Sequence, residues 1–236
     1  MNSRFRGFPK EGMDFLRGLK RNNKREWFQP RKQVFEENVK APMVEMVEAL
    51  NHFLALRVPD FVTEPSKAIY RIYRDTRFSG DKTPYKTHIA ASFSHRQLEK
   101  HAAAGFYFSA SPEEIEVAGG LYMPGPAELL AVRSHIASHH EEFRRLIASK
   151  SLVKAMGDMQ GQQLGRAPKG FPPDHPAVDL LRYKQWLYYT ILDGGLSTTG
   201  RLFSEVRKRF ELLIPFVEFL NRQLLARSRA PGQPAR

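Results

Sequence analysis

The spacing of apolar residues changes period once, near Lys67, and that change limits the possible folds more than any other feature of the chain. Before it, apolar residues recur at three- and four-residue intervals: Phe15, Leu16 and Leu19, then Val34, Phe35, Val39, Met43, Met46, Val47 and Leu50. That interval puts them on one face of a helix. After it, β-branched and aromatic residues alternate in Ile69–Tyr73 and His88–Phe93, then in Gly105–Ser109 and Ile115–Gly119, as half-buried strands require. The link Ser111-Pro112 is too short for anything but antiparallel pairing. The expected fold is α+β, with a mainly antiparallel sheet of four to six strands and N- and C-terminal helices packed on it.

Punctuation residues refine the picture. Arg21-Asn22-Asn23 suits a left-handed helix end followed by a new N-cap, and Pro42 should kink or restart the second helix. Gly119-Gly120 suggests a bulge or a close backbone approach. Pro124-Gly125-Pro126 precedes a long helix expected from Ala127 to Ser149. Residues 157–176 hold four Gly and four Pro, which makes a long excursion rather than an element. Trp186–Ile191 then reads as a fifth strand, and Pro215 as the start of the last helix. No linker or repeat interrupts the pattern, so residues 1–228 are expected to form a single α+β domain and 229–236 a disordered tail.

The chain has 236 residues, a net charge of +12 and no cysteine. Disulfide frameworks, thiolate zinc sites and cysteine nucleophiles are thereby excluded. Arg4, Arg6 and Lys10 are not followed by an apolar run, and no membrane span is expected, so the expected address is the cytoplasm. The positive charge falls in three blocks, +6 over 1–40, +5 over 67–101 and +5 over 201–236. Blocks that converge would offer a basic face to phosphate, nucleic acid or an acidic partner.

The densest polar constellation follows the first expected strand: Arg71, Arg74, Asp75 and Arg77, then Asp81, Lys82, Tyr85 and Lys86, then His88. Arginine offers carboxylate or phosphate a planar donor fork, lysine a mobile point charge, and Gly80 allows backbone amides to approach an anion. The leading expectation is an anion-binding module recognising a phosphate- or carboxylate-bearing ligand, an anionic small molecule or nucleic acid. Arg74, Arg77, Lys82 and Lys86 would grip it, Asp75 and Asp81 would orient the cations, and Tyr85 would form a wall. In the nucleic-acid version Arg25, Arg31, Lys32, Arg207, Lys208 and Arg209 supply phosphate contacts. A rival expectation is a hydrolase or transferase acting on a phosphorylated or acidic small molecule, with Asp75 or Asp81 as general base. A third is a structural ion-pair network with no ligand. From the long loop, Lys169 and His175 are expected near the hairpin together with Lys184, with Phe171 as apolar anchor and the prolines favouring one conformation. No metal is expected at His135, His139 and His140, and no cofactor, since Walker, dinucleotide-binding and serine-elbow patterns are lacking.

Several of these segments also match a known pattern. Asn22-Asn23 with Trp27-Phe28, Arg74-Asp75-Thr76-Arg77-Phe78-Ser79 with Asp81-Lys82-Thr83-Pro84-Tyr85-Lys86, Gly105-Phe106-Tyr107-Phe108 with Gly119-Gly120-Leu121-Tyr122-Met123-Pro124, and Pro168-Lys169-Gly170-Phe171 with Asp174-His175-Pro176 resemble the domain-of-unknown-function 2461 family of bacterial and fungal proteins. The similarity runs from about Phe8 to Leu224. It implies a single α+β domain of roughly this length and carries no activity, cofactor or partner with it. After Arg182-Tyr183-Lys184 the chain departs from the family's usual charged stretch, reading Gln185-Trp186-Leu187-Tyr188 instead.

Overall fold

A computed structural model describes residues 5–77, 79–99 and 102–229. Helices α1 (Lys10–Arg21), α2 (Arg25–Phe28), α3 (Lys32–Phe35), α4 (Ala41–Arg57) and α5 (Pro65–Ala68) come first. Phe15, Leu16 and Leu19 are buried on one face of α1, as their spacing requires. The helix ends without a left-handed residue: Asn22 has φ −133° and ψ 56°, and the N-cap of α2 is Lys24. Between α3 and α4 the chain widens to a π turn over Glu36–Lys40. Pro42 lacks an N–H and crowds the carbonyl of Asn38, so the wide turn absorbs the expected kink. A Cβ at Gly12 of α1 would lie 2.0 Å from that same Asn38 oxygen, so only glycine allows this approach.

The strands β1 (Ile89–Ser94), β2 (Gly105–Ala110), β3 (Glu114–Leu121) and β4 (Trp186–Asp193) form one antiparallel sheet in the order β1-β2-β3-β4. The α+β class, the strand number and the helices at both ends of the chain are as the periodicity implied. Ile69–Tyr73, expected as a strand, is not one. It meets the returning chain at two bridges, Ile69 with Ala91 and Tyr73 with Tyr85. The outgoing side advances from 69 to 73 while the returning side spans 85 to 91, and the two surplus residues interrupt the ladder.

Between β3 and β4 run α6 (Pro126–Ser138), α7 (His140–Ile147), α8 (Lys150–Met156) and α9 (Val178–Leu181), and α10 (Arg201–Arg229) closes the described chain. The long helix expected over 127–149 breaks at His139, with φ −130° and ψ 33°, where the ring Nδ1 donates to the His135 carbonyl at 3.0 Å. A side chain competing for a helix carbonyl weakens the next turn. Pro215 does not restart the last helix but sits inside α10. It faces solvent between buried Leu213, Ile214, Phe216 and Val217, so the hydrogen bond it removes is lost on the wet side while packing holds the other. The tail expected from residue 229 lies, beyond Arg229, outside the described residues.

Of the described residues, one compact unit holds those of Met1–Phe93, Tyr107–Val117 and Ile191–Lys208, and a second holds those of Ser94–Phe106, Ala118–Thr190 and Arg209–Arg236. The first is centred on rings. Phe28 stacks on Tyr85 at 4.2 Å and 14°, and meets Phe15 at 5.8 Å and Phe35 at 5.7 Å. In the second, Phe143 meets Phe219 at 4.9 Å and Tyr188 meets Phe216 at 5.0 Å. Buried Trp186 donates its indole N–H to the Leu180 carbonyl at 3.1 Å. The close approach expected at Gly119-Gly120 falls on Gly120, whose φ is +128° and whose Cβ, if it had one, would be 2.2 Å from the Trp186 oxygen. The excursion over 157–176 follows a defined path, bridged at Gln160 to Leu187 near the start of β4 and at Gln163 to Tyr183 just before it. Its buried proline is Pro168, whereas Phe171, the expected anchor, is only half-buried.

Candidate functional site

The charged hairpin is positioned by backbone pairing on both sides of its loop. Tyr70 N–H donates to Ala90 O (2.9 Å), Arg74 N–H to Pro84 O (2.9 Å) and Lys86 N–H to Ile72 O (2.8 Å). Asn23 then holds the returning arm, its Nδ2 donating to Tyr85 O at 2.9 Å and its Oδ1 accepting from Tyr85 N–H at 3.0 Å. Tyr85 itself is 2% exposed and stacked on Phe28, so it cannot be the wall of a ligand site. Burial pushes its phenol pKa up. An aromatic residue beside charged ones suggested a surface role; Asn23 and Phe28, some sixty positions earlier, draw it inward instead.

Within the loop the opposite charges pair off. Arg74 donates to Asp81 and to the Thr83 hydroxyl, and Asp81 also accepts from Thr83 N–H at 2.9 Å. Asp75 takes both the Nε (3.0 Å) and Nη2 (2.8 Å) of Arg77 on its two oxygens. The hydrogen bonds from Arg77 hold Asp75 at about 2, and those from Arg74 hold Asp81 at about 2. Lys82 donates to the Thr76 carbonyl at 2.9 Å. Arg74, Arg77 and Lys82 thus spend at least part of their donor capacity on the loop itself, and both aspartates are fully ionised at neutral pH.

Two cations remain outside this pairing. Arg71 is exposed, and Lys86 is half-buried with its ammonium 5.0 Å from the centre of the Tyr70 ring. Burial first, and Arg71 second, push the Lys86 pKa down. His88 lies two residues on and is pushed down by burial and then by Lys86, against an opposing pull from Glu114. On β3, burial pushes Glu116 up, with Glu114 adding to the shift. Like charges held together are costly in the free protein and are relieved by an anion, although Arg71 also helps to hold the nearby Asp75 carboxyl down. Arg71 and His88 belong to the constellation expected from the sequence, which gave the grip to Arg74, Arg77, Lys82 and Lys86 and assigned no role to Tyr70.

The remaining expected site residues lie in the second unit. Lys169 and Lys184 are exposed, and His175 is half-buried. The Nδ1 of His175 accepts from Ala177 N–H at 3.0 Å, and its ring meets His140 at 6.0 Å, edge to face. Lys184 is held through its backbone, N–H to Gln162 O at 2.8 Å. The hairpin belongs to the first unit, as do Arg25, Arg31, Lys32, Arg207 and Lys208, while Arg209 belongs to the second. Arg31 lies over the Trp27 ring at 4.6 Å and donates to the Trp27 carbonyl at 3.1 Å, and Arg207 lies over Phe53 at 5.7 Å. Among the described residues no group of three or more His, Asp or Glu side chains is placed to hold a metal. Nor is any described helix long and apolar enough to cross a membrane.

The model of the conserved hypothetical protein family DUF2461 matches residues 11–219, which takes in the hairpin, the whole sheet and most of α10. The chain belongs to that family. No curated protein and no solved structure matches it. The matched span contains both the paired loop Arg74–Lys86 described above and Asn23, which clamps Tyr85.

Proposed function

We propose that the protein is an anion-binding module whose ligand presents a phosphate or carboxylate to Lys86 and Arg71. The observation that carries this reading is Lys86: a half-buried ammonium whose neighbours are an arginine and an aromatic ring, beside a loop whose own carboxylates are already taken by Arg74 and Arg77. The pairs Arg74–Asp81 and Arg77–Asp75 then shape the loop rather than grip the ligand. A hydrolase or transferase with Asp75 or Asp81 as general base is the weaker reading, because a carboxylate held at about 2 by an ion pair accepts protons poorly at neutral pH.

Calorimetric titration with inorganic phosphate, then with a single-stranded oligonucleotide, tests the proposal. Lys86→Gln removes the charge and keeps most of the stem, so phosphate affinity should fall roughly ten- to a hundredfold, the loss of one hydrogen bond to a charged group. Equal affinity in wild type and Lys86→Gln refutes the assignment to Lys86. With the oligonucleotide, a log–log slope against salt of roughly −0.7 per phosphate contact supports nucleic acid as the ligand. Phosphate binding without oligonucleotide binding restricts the ligand to small anions.

A further inference from the structure

The second unit holds a buried cation that its surroundings leave without a counter-charge. Arg133 lies on α6 and is 8% exposed. Its Nε donates to the Leu181 carbonyl at 2.8 Å and its Nη2 to the Tyr183 carbonyl at 2.9 Å. These bonds close the end of α9, whose last residue is Leu181. They engage two of the five N–H groups of a guanidinium. Nη1 has no hydrogen-bond partner and is not among the fully buried atoms, so one edge of the guanidinium reaches the surface. No carboxylate pairs with Arg133 among the described residues, and burial alone pushes its pKa down.

Capping two carbonyls does not explain a permanent charge at this place. A neutral donor such as glutamine meets carbonyl oxygens without the cost of taking an ion out of water, and buried arginines are ordinarily paired. Two carbonyls that fix the plane of the guanidinium, with its Nη1 edge left open, make a preorganised receptor for an oxyanion. Arg182 and Lys184, on either side of Tyr183, bring two more cations to the stretch that orients Arg133. Arg182 is tied by its Nε to the Leu164 carbonyl at 2.6 Å, and the side chain of Lys184 is exposed.

We infer that Arg133 anchors a second anion site, distinct from the Lys86 site, that receives a small oxyanion on the Nη1 edge of its guanidinium. The ligand is a carboxylate or a phosphate, since either offers paired oxygens to this fork.

Side-chain nitrogen NMR of wild-type protein tests the inference, with the Arg133 resonances assigned through its side-chain carbons. Inorganic phosphate and acetate are titrated in parallel at constant ionic strength. A saturable shift at Arg133 is expected with at least one probe, and the probe that saturates first names the ligand class. No shift with either overturns the inference. The shift should persist in Lys86→Gln, and its disappearance there would mean that only one anion site exists. Arg133→Gln, which can still donate to the carbonyls, should lose the rise in thermal midpoint that the probe gives in a Lys86→Gln background. An undiminished rise in the double variant overturns the assignment to Arg133.

Discussion

The side-chain amide of Asn23 makes both of its hydrogen bonds to the backbone of one residue, Tyr85, donating to its carbonyl at 2.9 Å and accepting from its N–H at 3.0 Å. The same device recurs at Asn51 with Thr63 (2.6 and 3.0 Å) and at Asn221 with Ala104 (2.9 and 2.8 Å). An amide is the one side-chain group that matches a peptide's donor and acceptor together. Each of these asparagines meets the N–H and C=O of a residue that lies outside the four strands.

The clamps should differ in cost according to burial. Asn221 is 1% exposed, whereas Asn23 is half-buried. Replacing either by Asp keeps the acceptor and strands a carbonyl. Asn221→Asp should cost about 1–3 kcal/mol, the desolvation penalty of an unsatisfied buried group, with a further contribution from the buried charge. Asn23→Asp should cost less, and urea denaturation of the two variants gives the order.

Arg77 is 77% exposed on its side chain and its carboxylate partner is also near the surface. Arg77→Ala should therefore leave the denaturation midpoint almost unchanged. The change should appear in Asp75, whose pKa should rise from about 2 toward 3.8 once its largest stabilising contact is gone. Carboxyl-carbon NMR against pH reads that rise directly.

Acid should weaken the second unit through His135. Its ring lies 4.4 Å from that of His139 and 4.6 Å from Phe219 on α10, and its Nε2 has no hydrogen-bond partner. Burial, then His139, then Arg222 push it down to about 4 from 6.5, with Glu142 opposing. The unfolded chain therefore takes up this proton first. The contribution is fully present above 6.5 and is lost progressively as the pH falls toward 4. His135→Leu should flatten the decline in denaturation midpoint between about pH 7 and about pH 4. An unchanged slope would assign the acid sensitivity to other groups.

Gly120→Ala is expected to be among the most damaging single-methyl changes in the sheet. The backbone there has φ +128°, and the new carbon would meet the Trp186 carbonyl oxygen at 2.2 Å. Strain at such a φ costs of the order of 1–3 kcal/mol before the clash is counted. Thermal denaturation beside Gly80→Ala, where an added Cβ meets nothing within 4 Å, separates the local effect from a general one.

The elements legible in the chain were those set by local periodicity: the apolar face of α1, the hairpin of β2 and β3 around Ser111-Pro112, and the run that became β4. The charged loop could be located for the same reason, because its residues are contiguous. Interactions that depend on distant partners could not be read this way. Ile69–Tyr73 has the alternation of a strand, yet pairing needs a matched register on the opposite side, and that side carries two surplus residues. Pro215 carries a helix-breaking signal, yet burial of Leu213, Phe216 and their neighbours keeps α10 continuous. Tyr85 looked like a surface residue because its sequence neighbours are charged, and it is buried because Asn23, between α1 and α2, and Phe28, at the end of α2, reach it across more than fifty positions. The loop's cations were visible one by one, but which carboxylate neutralises which arginine, and that Lys86 is left with Arg71, is decided by side-chain distances of a few ångströms. Periodicity reports which face of an element is apolar, and contiguity reports where charge is dense. Neither reports the contacts that bury the Tyr85 ring and set the Lys86 ammonium against the Tyr70 ring.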